Sequence, residues 1–199
     1  MDFIIENGQM LIAFFLGIGL AASAGFRVFL PLFALSLAAK FGFDLNEEWA
    51  WVGSWTAIIT LGVATLVEIG AYFIPWIDNL LDSIAIPLAG IAGTMLMALS
   101  LGDASSEVIQ WGLAIIAGGG TAAAVKGTAA SARMASTATT GGTGNFVVSS
   151  TETAAAGILS VTAIVFPILA FVLVIVVFYY IYKGWKYINN KRKRASNEI

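Results

Sequence analysis

The chain contains no histidine and no cysteine. Their absence excludes the usual zinc and iron–sulfur centres, disulfides, and nucleophilic sites built on Ser-His or Cys-His pairs. Without cysteine, the redox compartment leaves no mark on the sequence. Any metal would have to bind Asp, Glu and carbonyl oxygens, a donor set that suits Mg²⁺ or Ca²⁺. Charge is scarce as well: Asp, Glu, Lys and Arg make up 11% of 199 residues, less than half the ~25% of a soluble domain. Apolar residues reach 59%, and the mean hydropathy is +0.89. Most of this chain is therefore expected to be solvated by lipid, as one membrane domain over residues 1–185 with a basic tail at 186–199. The N-terminus MDFIIENGQ is acidic where a secretory signal has a basic region, so no cleavable signal is expected.

Within that apolar background the rare charges stand out. Arg27 lies in LIAFFLGIGLAASAGFRVFLPLFALSLAA, a stretch with no other charge. A helix needs roughly 20 apolar residues to cross a hydrocarbon core of about 30 Å. An arginine at such depth costs roughly 2.5–3.5 kcal/mol on insertion scales and normally faces a bundle interior with a partner.

Hydropathy divides the chain into five membrane segments: 8–38, 51–74, 83–101, 108–132 and 154–182. The first is interrupted by Gly17, Gly19, Gly25 and Pro31. The fourth has three consecutive glycines, two cations and a Ser/Thr/Gly-rich tail, ASTATTGGTGN, which together do not make a lipid-facing helix. Small residues are the usual glue between membrane helices. Irregular backbone at membrane depth survives only where it is buried or lines water. The fold class expected is all-α, a polytopic helical bundle with broken or re-entrant first and fourth helices. Six of the ten basic residues fall in the last seventeen positions, which predicts a cytoplasmic C-terminus in a cell membrane, clamped to anionic headgroups. Five crossings then put the N-terminus outside. Two stretches, AFFLGIGLAASAGFRVFLP and AIIAGGGTAAAVKGTAASA, align glycines and Ala-Ala ahead of a cation. They suggest a weak repeat of 8–100 and 108–182, an arrangement that secondary transporters use with inverted topology.

The candidate solute-path or gating residues are Arg27, Glu68, Asp78, Asn79, Asp82, Lys126, Arg133, Ser136, Thr137, Thr139, Thr140, Asn145 and Glu152. Opposite charges at membrane depth pair, and Arg27 with Glu68 is the pair expected, either as a fixed register-setting bridge or as a gate. Asp78 and Asp82 share a helix face. They would serve as weak Mg²⁺ ligands or as capping residues ahead of the third apolar run. Ser149 and Glu152 fit the spacing of a capping box. No Walker motif is present and the GGG run lacks a strand context, so neither a nucleotide cofactor nor nucleic-acid binding is expected.

AASAGFRVFLPLFALSLAA, EIGAYFIPWIDNLLDSIAIPLAG and ASTATTGGTGN resemble the hallmark segments of a family of small bacterial integral membrane proteins catalogued as a domain of unknown function. The resemblance covers about residues 10–160. It implies a multi-pass membrane protein and brings no activity, substrate or cofactor.

Three functions compete at this level. The first is a transporter or channel for a small polar or ionic solute, working as a homodimer or larger homo-oligomer. The second is a non-transporting scaffold or lipid-handling protein whose polar residues specify packing. The third is a Mg²⁺-dependent enzyme of lipid headgroups resting on Asp78 and Asp82. The expectation is a protein that is not an enzyme.

Overall fold

The computed structural model describes residues 2–72, 74–102 and 106–197, without the side chains of residues 2–7, 75, 76, 78–80, 82, 83, 185 and 187–197. Among these residues all regular structure is helical. The order is α1 (Asp2–Phe26), α2 (Phe29–Lys40), a 3-10 helix (Glu47–Gly53), α3 (Trp55–Ala71), α4 (Pro75–Leu101), α5 (Glu107–Leu113), a π-helical turn (Ala114–Gly119), α6 (Gly120–Thr140), α7 (Asn145–Val165) and α8 (Pro167–Asn197).

Proline decides where several of these helices begin. In a continuous helix Pro31 would have no N–H for the carbonyl of Arg27, and its ring would clash with that carbonyl. The first segment breaks there. Arg27 N still donates to Ser23 O at 3.0 Å, but α1 has ended at Phe26 and α2 starts at Phe29. Pro75 opens α4 and Pro167 opens α8. The Pro167 break corrects the fifth segment. Residues 154–182 are the end of α7 and the start of α8, separated at Phe166, whose φ of −136° lies outside the helical range that a following proline disfavours. The fourth segment is irregular in two places. Its middle is the π-helical turn, and its end is a reversal at Gly141 and Gly142, with φ of +62° and +93°. An L side chain is strained at such angles, whereas glycine adopts them freely. The reversal sends the chain back into α7 as a helical hairpin.

Among the described residues five helices are long and apolar enough to cross a membrane, and up to six if the bent pair of the 3-10 helix and α3 counts as one span. Their outward faces agree. Ile59, Leu66 and Val67 of α3 and Ile168, Leu169 and Ile175 of α8 are exposed, a density of apolar side chains that water would not tolerate but lipid solvates. The protein is an integral membrane bundle of the all-α class.

Helix α1 is the axis of the bundle and packs against α4, α6, α7 and α8. Lipid tails are as apolar as leucine, so helices there gain little from hydrophobic burial and much from close approach. A Cβ on Gly25 of α1 would stand 2.7 Å from the carbonyl oxygen of Ala122, and one on Gly93 of α4 would stand 2.6 Å from that of Gly118. The glycines of the π-helical turn thus let α4 and the fourth segment touch backbone to backbone. Across α1 and α7 the seam is polar: Ser23 Oγ donates to Ala156 O at 2.8 Å and lies 2.7 Å from Ser160 Oγ.

Candidate functional site

The break at Arg27 sits inside the bundle and leaves the end of one helix and the start of another without their usual partners. Ionised side chains from two other helices meet those ends. Lys126 of α6 donates from Nζ to the carbonyl oxygen of Phe26, the last residue of α1, at 3.0 Å. Glu68 of α3 accepts from Val28 N at 2.8 Å and from Phe29 N at 3.0 Å, one N–H on each carboxylate oxygen. The signs suit the helix dipole, which is negative at a C-terminus and positive at an N-terminus.

This corrects the expected pairing of Arg27 with Glu68. A carboxylate beside a broken helix finds two converging N–H donors with no other acceptor, and it takes them in preference to a single side chain. Arg27 turns instead to α7. Its Nε donates to Thr153 Oγ1 at 2.9 Å, and its Nη2 donates to Ser149 O at 2.8 Å and Ser149 Oγ at 2.5 Å. Hydrogen bonds from a charged donor contribute about 1.5–3 kcal/mol each. Together they offset much of the roughly 2.5–3.5 kcal/mol that insertion of the arginine costs.

Glu152, also on α7, joins two cations. Its Oε2 is 3.8 Å from Arg27 Nη2 and forms a direct ion pair with Arg133 Nη2 of α6. All three cations then converge on one aromatic ring, that of Tyr72 just beyond the end of α3. The ring centroid lies 4.2 Å from Arg27 Cζ, 4.3 Å from Arg133 Cζ and 5.4 Å from Lys126 Nζ, all within the reach of cation–π attraction. Arg27 and Lys126 are fully enclosed at 0% exposure, and Tyr72, Glu68, Arg133 and Glu152 are buried too. Five of the expected residues (Arg27, Glu68, Lys126, Arg133 and Glu152) thus form a single cluster drawn from four elements.

The Ser/Thr/Gly tail does not join that cluster. Thr137 Oγ1 donates to Arg133 O at 3.0 Å, Thr139 Oγ1 to Ala135 O at 2.9 Å and Thr140 Oγ1 to Ser136 O at 2.7 Å. These threonines are exposed and spend their hydroxyls on their own helix. Asn145 Nδ2 donates to Thr137 Oγ1 at 2.9 Å, and this bond closes the hairpin. Ser149 is no capping residue, because α7 already begins at Asn145. Asp78, Asn79 and Asp82 lie within the first two turns of α4, whose N-cap is Ile74, so neither aspartate is the cap. The side chains of Asp78, Asn79 and Asp82 lie outside the described residues. Among the described residues no three His, Cys, Asp or Glu side chains gather as a metal cage.

The expected residues did not include Tyr72, Ser149 or Thr153. Spacing carried the signal. Tyr72 is four residues after Glu68, and Ser149, Glu152 and Thr153 follow at i, i+3 and i+4, so each set shares a helix face.

Two cavities reach the cluster. One, of about 320 Å³, lies among α2, α3 and α4 and touches Val28, Glu68 and Tyr72. The other, of about 290 Å³, lies among α1, α6, α7 and α8 and touches Phe26, Val125 and Glu152. Phe26 and Val28 flank Arg27 in the chain and line different cavities, so the charged break stands between the two.

No curated protein and no solved structure matches the chain. A family model does, over residues 14–186, from within α1 to within α8 and across every residue of the cluster. The chain belongs to the family described as a domain of unknown function, DUF4126.

Proposed function

We propose that the protein is a transporter or channel for a small polar or ionic solute. The observation that carries this reading is the position of the charged break between two cavities, each of which reaches it through one carboxylate, Glu68 on one side and Glu152 on the other. Discontinuous helices with ion-binding ends at the bundle centre are how secondary transporters build solute sites. A path would run from the Glu68 cavity past Tyr72 and Arg27 into the Glu152 cavity. Its opening would require Arg27 and Glu152 to exchange partners. In this reading the basic tail stays cytoplasmic in a cell membrane, and six crossings would put the N-terminus on the same side.

One observation favours the scaffold reading. Glu68 and Lys126 satisfy the freed backbone groups of the break, and a purely structural break needs that too. Flux separates the two. Proteoliposomes of the purified protein should admit small solutes faster than protein-free vesicles, and Ala155→Phe, placed in the Glu152 cavity, should abolish the difference. Wild-type vesicles as tight as protein-free ones would leave the scaffold.

A further inference from the structure

Within the cluster, hydrogen-bond capacity is unevenly used. Arg27 spends Nε and Nη2 on α7, but among the described residues its Nη1 has no hydrogen-bond partner although the side chain is fully enclosed. Lys126, equally enclosed, makes one hydrogen bond to Phe26 O, and among the described residues no carboxylate lies within ion-pair distance of its Nζ. A buried ammonium has three donors and no acceptor capacity. Two cations with open donors therefore stand at the same Tyr72 ring, 4.2 and 5.4 Å from its centroid. The acidic neighbour is poorly matched to them. Glu152 reaches Arg27 only at 3.8 Å and is held by Arg133; among the described residues its Oε1 has no hydrogen-bond partner, and the residue lines the 290 Å³ cavity.

We propose that the break binds a small oxyanion, of the size of formate or nitrate, through Arg27 Nη1 and Lys126 Nζ, the open donors of two cations that the ring of Tyr72 holds together. As a statement about the substrate, this rests on the transport reading above. An oxyanion offers separate acceptor oxygens to the two donors, which matches a planar guanidinium better than a cation or a neutral solute does. Glu152 competes with it for Arg27. When the anion arrives, the carboxylate swings toward the cavity it already lines, and when the anion leaves, it returns.

The test is thermal unfolding of the detergent-purified full chain in sodium formate or sodium nitrate, against sodium gluconate at equal ionic strength. A ligand of the native state raises the melting temperature by mass action. Formate or nitrate should raise it in wild type and gluconate should not. Lys126→Gln should weaken the apparent affinity about 10-fold, the loss of one hydrogen bond to a charged group. Lys126→Arg should retain it. Glu152→Gln should bind more tightly, because it removes the competitor, and this opposite sign is one that general destabilisation does not produce. Identical melting of wild type in all three salts overturns the proposal. So does an affinity that is unchanged in Lys126→Gln or lowered in Glu152→Gln. If Lys126→Gln does not fold, a loss of binding in Lys126→Arg overturns it instead. Stabilisation by formate or nitrate without flux in proteoliposomes would keep the anion site and end the transport reading. Flux without anion stabilisation would keep transport and end the anion site.

Discussion

Replacing Glu68 should damage the protein through the backbone of another helix. Its two oxygens accept from Val28 N and Phe29 N at 2.8 and 3.0 Å. In Glu68→Leu both donors lose their acceptor inside the bundle, at about 1–3 kcal/mol each. The anion at the helix N-terminus is lost too, for about 0.3–1 kcal/mol. Relief of the carboxylate's own desolvation offsets part of this, so a net loss of about 2–4 kcal/mol is expected, a large fraction of the 5–15 kcal/mol that typically holds a domain. Glu68→Gln keeps one acceptor oxygen and turns an NH₂ group toward the other N–H, so it should cost about half as much. Unfolding in mixed micelles, read through the six tryptophans, measures both variants. Amide exchange localises the effect, with the protection of Val28 and Phe29 lost before that of the α1 core. A Glu68→Leu protein within about 0.5 kcal/mol of wild type would refute the capping argument, since surface-like changes fall in that range.

Three further outcomes follow from the same contacts. Gly25→Ala should destabilise by about 1–3 kcal/mol, the usual cost of overpacking, because its Cβ meets the immovable carbonyl of Ala122. Gly70→Ala, with nothing within 4 Å, should be harmless or mildly stabilising; equal melting of the two variants would contradict the packing description. In a double-mutant cycle, Arg133→Met and Glu152→Leu together should cost less than the sum of the single changes, by about 1–3 kcal/mol, because each single change leaves a buried charge exposed to apolar surroundings. Additivity would mean that the pair does not interact. Ala64→Phe, in the Glu68 cavity, should block solute flux while the protein still folds, because the side chain enters existing space; undiminished flux would remove that cavity from the path.

The charges were legible in the sequence because each is expensive in lipid. Arg27, Glu68, Lys126, Arg133 and Glu152 could be singled out without coordinates, and all five meet. Their pairing was not legible. Whether Glu68 takes a side chain or two backbone N–H groups depends on how α3 docks against the break, which is set by tertiary contacts. The break itself had a local cause in Pro31, and the same rule applied to Pro167 would have divided 154–182 in two. The Ser/Thr/Gly tail misled because composition cannot distinguish a polar path from hydroxyls bonded to their own helix. Tyr72 was hidden by its place at the end of a span, where aromatic residues commonly mark the membrane interface.

Passage of solute through the charged break would show in stopped-flow light scattering of proteoliposomes challenged in turn with salts of small anions, salts of small cations and neutral polar solutes. Wild-type vesicles should recover volume faster than empty vesicles for at least one class of solute, and Ala155→Phe should return them to the empty-vesicle rate. Recovery indistinguishable from empty vesicles for every solute would rule out passage and leave the cluster as a device for holding a broken helix in place.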